Sequence, residues 1–131
     1  MIIDHVTVFV RDYQRSKAFY AAALAPLGIT IQKEYGRAGG FGREGKPELW
    51  IAEGPGSFQS AAQVETITPV HVAVAARSRA EVDAFHAAAM AAGARDFGAA
   101  GVRAHYHPGY YGAFVLDPDG HNLEAVTHRP E

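Results

Sequence analysis

The chain has 131 residues, 48% of them hydrophobic and 20% charged, a balance that fits one ordinary globular domain and argues against disorder. Twelve basic and fourteen acidic side chains leave a net charge of -2 with no block of like charge, which excludes the footprint of a nucleic-acid or anionic-membrane partner. Cysteine is absent, so disulfide scaffolds, thiol nucleophiles, iron–sulfur clusters and cysteine-ligated zinc are excluded as well, and seven histidines become the main chemical resource. The longest uncharged stretch, 18–32, is too short to cross a bilayer and contains Pro26. With no leader pattern at the N-terminus, a cytoplasmic location is expected.

Residues 2–10 are rich in β-branched side chains and predict a strand. Asp12 is placed to cap a helix over 14–24, with Ala18, Phe19, Ala22 and Ala23 as its buried stripe and Pro26 and Gly28 as its stop. A short strand is predicted over 29–34, then a segment, 36–45, with five glycines, then an apolar strand over 49–52 and a Gly54-Pro55-Gly56 break. The strand pattern restarts at 70–75. Ser78 and Glu81 have the spacing of a capping box, opening a helix with Val82, Phe85 and Ala89 on one stripe that Gly93 closes. Strands follow over 110–116 and 123–127, joined by the turn Asp117-Pro118-Asp119-Gly120.

The halves repeat. A shift of 66 residues places His5-Val6-Thr7-Val8 on His71-Val72-Ala73-Val74, the cap Asp12 on Ser78 and Phe19 on Phe85, with ten of the twenty-one positions over 5–25 identical. Five of those identities are alanines and carry little weight; the rest coincide with matching strand–helix boundaries and need no gap. The reading is a duplicated βαβββ unit, 1–68 and 69–131, each a sheet with a helix on its outer face. Neither copy can bury both sheet faces alone, so the copies are expected to pair around a shared interior.

Strand alternation puts Val6, Val8 and Val10 on one face and His5, Thr7 and Phe9 on the other; the valine face suits the helix. The repeat says the same of His71. In the last strand Glu124 lies between Leu123 and Ala125, so it shares the histidines' side, where a carboxylate without a partner is costly. Two imidazoles and a carboxylate form a ligand set for a divalent metal, Fe, Mn, Ni, Co or Zn. Each of the three also has a bland reading as a hydrogen-bonded strand histidine or an edge-strand solubiliser. Trp50 falls opposite Glu124 in the repeat; Glu48, two residues earlier on the same face, is a weak fourth ligand, and Glu53 has the wrong parity. The segment 103–111 brings His105, His107, Tyr110 and Tyr111 to the mouth of the site, as proton-transfer and orienting groups or as a rigid aromatic loop. Phe9, Trp50, Tyr110 and Tyr111 can equally line an apolar pocket that captures an aromatic ligand. His86, His121 and His128 have no evident role.

Ile3-Asp4-His5-Val6, Arg15 to Tyr20, His71-Val72-Ala73 and the closing Asp117-Pro118-Asp119-Gly120-His121-Asn122-Leu123-Glu124 together resemble the vicinal oxygen chelate superfamily: glyoxalases, bleomycin- and fosfomycin-resistance proteins, extradiol dioxygenases and methylmalonyl-CoA epimerase. The resemblance implies an α+β fold of paired βαβββ modules forming an open, curved, barrel-like sheet around a metal, with His5, His71 and Glu124 at family ligand positions. It also implies a small-molecule substrate and a homodimer. Trp50 occupies the place of the fourth ligand of glyoxalase-type members, a departure that tells against lactoylglutathione lyase activity. Two functions follow as expectations: a small metal-dependent glyoxalase- or dioxygenase-like enzyme, or a metal-free drug-binding protein.

Overall fold

A computed structural model describes residues 2–130. The first half is β1 (Val6–Val10), α1 (Tyr13–Leu24), a 3₁₀ turn (Ala25–Leu27), β2 (Thr30–Tyr35), β3 (Ala38–Arg43) and β4 (Lys46–Glu53). A short helix, α2 (Ala61–Glu65), leads to the second half: β5 (His71–Ala75), α3 (Arg79–Ala91), β6 (Arg95–Val102), β7 (Tyr111–Leu116) and β8 (Asn122–Thr127). Each half makes one four-stranded mixed sheet, in the orders β1-β4-β3-β2 and β5-β8-β7-β6. In both, the first strand runs parallel to the last and the other pairs are antiparallel. The sheets do not close into a barrel, and the fold is α+β with two open sheets, as the repeat predicts.

The helices start where expected. The Asp12 side chain accepts from the Arg15 N–H at 3.2 Å and the Ser78 hydroxyl from the Glu81 N–H at 3.1 Å. Glu81 reaches one residue further back than a capping box requires, taking the Arg77 N–H at 2.8 Å and its guanidinium at 2.7 Å. The complete capping box is at Ser60 and Gln63, opening α2, a helix the periodicity does not announce.

The stripe of α3 is Val82, Phe85 and Ala89, as predicted. That of α1 is rotated: Tyr13, Ser16, Phe19, Tyr20, Ala23 and Leu24 are buried, while Ala18 and Ala22 face outward, because the larger rings take the core side. The glycine-rich segment holds the inner strand β3. Its neighbours require the missing side chains: a Cβ on Gly39 would run into the Tyr13 hydroxyl, and one on Gly42 into the Lys46 carbonyl. Gly28, at φ 71°, supplies the left-handed residue that ends the 3₁₀ turn.

Val8 and Val10 are buried beneath α1, while His5 and Thr7 lie on the uncovered face; Val72 and Val74 pack toward the core, and His71, Ala73 and Ala75 are exposed. α1 also packs against α3, so one apolar cluster joins Val8, Phe19 and Leu24 to Val82, Phe85 and Leu123. The halves therefore meet through their helix-covered sides. That arrangement corrects the expected shared interior of one chain: the two uncovered faces lie on separate surfaces.

Polar latches span the join. The buried His121 takes the Val70 N–H on Nδ1 at 3.1 Å and donates from Nε2 to the Phe9 carbonyl at 2.8 Å, fixing its tautomer. Asp117 accepts the N–H groups of Asp119 and His121, each at 2.8 Å, and the Tyr20 hydroxyl at 2.6 Å. Asp119 takes the Arg11 N–H and guanidinium, each at 3.2 Å. The Asp-Pro-Asp-Gly turn thus ties the second half to α1.

Candidate functional site

The uncovered face of the second half centres on Glu124. Alternation along β8 buries Leu123 and Ala125 under α3 and turns Glu124 the other way, where its side chain is nonetheless only 1% exposed. One carboxyl oxygen is 2.8 Å from His71 Nε2 and the other accepts the Tyr110 hydroxyl. A carboxylate only accepts, so His71 Nε2 carries the hydrogen. Burial first, and then the bond to Glu124, push the Tyr110 phenol above its ordinary pKa, so it holds its proton and acts as a donor. Gly112 keeps this site open, since a Cβ there would lie 3.1 Å from Glu124 Oε2.

Tyr110 and Tyr111 part company. The Tyr111 hydroxyl donates to Asp83 on α3 at 2.6 Å, and Arg79 lies 4.8 Å from its ring centre, so it faces the helix and not Glu124. The alternation that places Glu124 also separates the two tyrosines, a signal available in the sequence.

His107 has both nitrogens engaged. Nδ1 accepts from the Gly109 N–H at 3.0 Å, so in the neutral ring the hydrogen sits on Nε2 and is donated to His128 Nδ1 at 2.5 Å. The rings of His107 and Tyr110 meet edge to face at 5.8 Å. His105 is exposed and rests its ring on Tyr106 at 4.2 Å. The pairing of His128 with His107 was not legible in the sequence, because nothing in the spacing links the tail to the loop.

The first half presents the matching face with different chemistry. Thr7 pairs with Trp50 in the β1–β4 ladder as Ala73 pairs with Glu124 in the β5–β8 ladder, so Trp50 does occupy the position of Glu124. Trp50 and Tyr35 lie nearly parallel, with ring centres 5.9 Å apart and planes at 14°. They border a cavity of about 410 Å³ together with His5, Thr7, Lys33 and Lys46. His5 Nδ1 is 2.7 Å from Asp4, whose other neighbour is Lys46 at 2.6 Å; those two partners, Lys46 foremost, hold the Asp4 carboxyl below its usual range.

Phe9 stands apart, against Phe58 at 5.6 Å, in a second pocket with His121. Glu48 is exposed at the rim of a third cavity, of about 530 Å³, where Val6, Leu24 and Leu49 face His71 and Val72. Glu53 is spent on the Tyr13 N–H at 3.0 Å and on Arg37 at 2.7 Å. The structure brings together His71, Glu124 and Tyr110, with His107 at the edge, and separately His5, Thr7 and Trp50. It does not bring His5 to His71: among the described residues no three His, Asp or Glu side chains converge as a metal-binding group.

Comparison with known proteins bears on this arrangement. Residues 2–125 match the family model described as Glyoxalase/Bleomycin resistance protein/Dioxygenase superfamily. Among solved structures, a glyoxalase/bleomycin resistance protein from Albidiferax ferrireducens T118 is 29% identical, with 99% of this chain and 100% of that one covered and a TM-score of 0.80. Oxidase ChaP-H2 is 26% identical, with 99% and 94% covered and a TM-score of 0.64. TioX from Micromonospora sp. ML1, 19% identical over 98% of this chain and 100% of that one with a TM-score of 0.67, shares the fold. A comparison with curated proteins finds no match.

Proposed function

The chain belongs to the glyoxalase/bleomycin resistance protein/dioxygenase superfamily, and from that premise we propose that it is a small metal-dependent enzyme, in which a divalent ion chelates two adjacent oxygens of a small substrate for lyase, isomerase or dioxygenase chemistry. The observation that carries the reading is Glu124, a carboxyl 1% exposed on the side of β8 turned away from Leu123 and Ala125, approached by His71 and Tyr110. A carboxylate buried there is stable only with partners. An imidazole beside a carboxylate is a nitrogen–oxygen donor pair that suits Fe, Mn, Ni, Co or Zn.

One chain supplies two donors, and the third, His5, comes from a second copy in a homodimer. Two features support this. β1 and β5 are end strands of their sheets, and the exposed Ile3, Val6 and Val70 lie beside them. The donor sets on the two uncovered faces, His5 on one and His71 with Glu124 on the other, also complement each other.

When bound, the ion supplies Lewis-acid stabilisation of negative charge developing on a substrate oxygen. The chain's residues do the rest. Tyr110 retains its proton and orients Glu124. His105, whose ring nitrogens make no hydrogen bond among the described residues, is the group for proton transfer, while His107, engaged on both sides, positions the loop.

The test is elemental analysis and sedimentation of tag-free protein reloaded in turn with Fe(II), Mn(II), Ni(II), Co(II) and Zn(II). One ion per chain in a dimer is expected, lost in Glu124→Gln and in His5→Ala. Full occupancy in His5→Ala would remove that residue from the set; no ion in the wild type would overturn the reading. That last outcome would select a second reading, metal-free capture of a drug-like molecule, which one observation favours: an indole stands where the other half has its carboxylate.

A further inference from the structure

We propose that the uncovered face of the first half is an aryl-anion shelf: the Trp50–Tyr35 pair stacks a planar aromatic ring of the ligand, and Lys33 takes its carboxylate or phenolate. This assignment of ligand class rests on the reading of that face as part of the substrate site. It does not depend on a metal.

The shelf is built by glycine. Trp50 is on β4 and Tyr35 on β2; the β3 residue paired with Trp50 is Gly40, which pairs on its other side with Lys33, and a Cβ there would lie 2.8 Å from the indole. With no side chain there, the indole can lie over the strand, and its ring stacks with that of Tyr35 at 5.9 Å between centres and 14° between planes. Tyr35 is left 65% exposed, a large ring displayed to the cavity instead of the core. An exposed aromatic face favours a flat π-system over a saturated ring of the same bulk.

The charges around the shelf have one sign in excess. Lys33 and Lys46 border the cavity with a single carboxylate, Asp4, which is already bonded to Lys46 and to His5. Lys33 lies two residues from Tyr35 on the same strand and enters no ion pair among the described residues. An ammonium beside a flat aromatic surface fits an anionic substituent on the stacked ring. The cavity, about 410 Å³, is within the size of pockets that hold small ligands, roughly 300–1,000 Å³.

The chain's single tryptophan makes the test direct, since all indole emission comes from the proposed shelf. Metal-free protein in EDTA is titrated with naphthoate, naphthamide and cyclohexanecarboxylate, followed by calorimetry and by Trp50 emission. Naphthoate is expected to bind about tenfold tighter than either comparator, the size of one stacking or one charged contact. Trp50→Leu is expected to lose the preference for the aromatic ring, and Lys33→Gln the preference for carboxylate over carboxamide. Equal affinity for the saturated acid, unchanged Trp50 emission on binding, or no binding of naphthoate would each overturn the proposal without touching the metal assignment. Loss of metal binding would leave it standing. The wild-type ligand series decides the matter even if a variant fails to fold.

Discussion

Tyr110 and Tyr111 are adjacent and chemically identical, yet one supports a buried carboxyl and the other an exposed one. Replacing Tyr110 by Phe takes a donor from Glu124, which is 1% exposed, and should destabilise the protein by about 1–3 kcal/mol. Tyr111→Phe removes only a bond to the exposed Asp83 and should stay within about 0.5 kcal/mol. Urea unfolding of the two variants checks the contrast, and equal losses would mean that Glu124 does not depend on Tyr110. His107 makes a second case at this scale. Its neutral tautomer should carry hydrogen on Nε2, because Gly109 occupies Nδ1; nitrogen-resolved NMR of the imidazoles would show the opposite pattern if the loop were arranged differently.

β3 shows how an element can be hidden from its own composition. Three of its six residues are glycine, and strand propensity argues against it. The strand forms because its neighbours supply what it lacks: the Tyr13 ring on the helix side, the Trp50 indole on the open side and the β4 backbone at the hairpin. Gly42→Ala would press a methyl group into the Lys46 carbonyl, which cannot yield, and should cost about 1–3 kcal/mol or more. Gly40→Ala meets Pro47 Cβ at 2.6 Å as well as the indole at 2.8 Å; of the two only the indole can swing away, so the loss of stability should come with a red-shifted Trp50 emission as the ring moves into water. The rotated stripe of α1 has a similar origin. Alanine is apolar enough to read as core, but Tyr13 and Tyr20 bury more surface and find acceptors in Glu34 and Asp117, so they win the inner face.

The whole molecule is held by phenol–carboxylate latches as well as by its core. Tyr20 donates to Asp117 across the join between the halves, and Tyr13 and Tyr110 bond to Glu34 and Glu124. Burial foremost, and then the neighbouring carboxylates, raise all three phenols above the ordinary value of 10.0. A raised folded-state pKa favours the protonated form, so this stabilisation is complete below pH 10.0 and declines as pH rises beyond it. Stability should therefore fall above that pH, with phenolate absorbance appearing together with unfolding. Tyr20→Phe should be less stable near neutrality by about 1–3 kcal/mol and show a shallower alkaline decline; phenolates that titrate freely in the folded protein would contradict the latch.

Much of the site was legible because strand alternation is strict. His5, His71 and Glu124 were placed on uncovered faces by the parity of their valine, leucine and alanine neighbours, and the duplication located Trp50 opposite Glu124. Histidines whose partners are distant in sequence, His121 and His128, gave no such signal: their roles depend on a carbonyl and an imidazole brought up by other segments. The amino-acid sequence by itself determined the two βαβββ units, the face of each sheet that its helix covers and the chemistry left on the other. Only the tertiary structure decided how the units meet. Periodicity specifies which side of an element is apolar but not what will cover it, and here α1 and α3 cover each other, which leaves the two uncovered sheet faces apart.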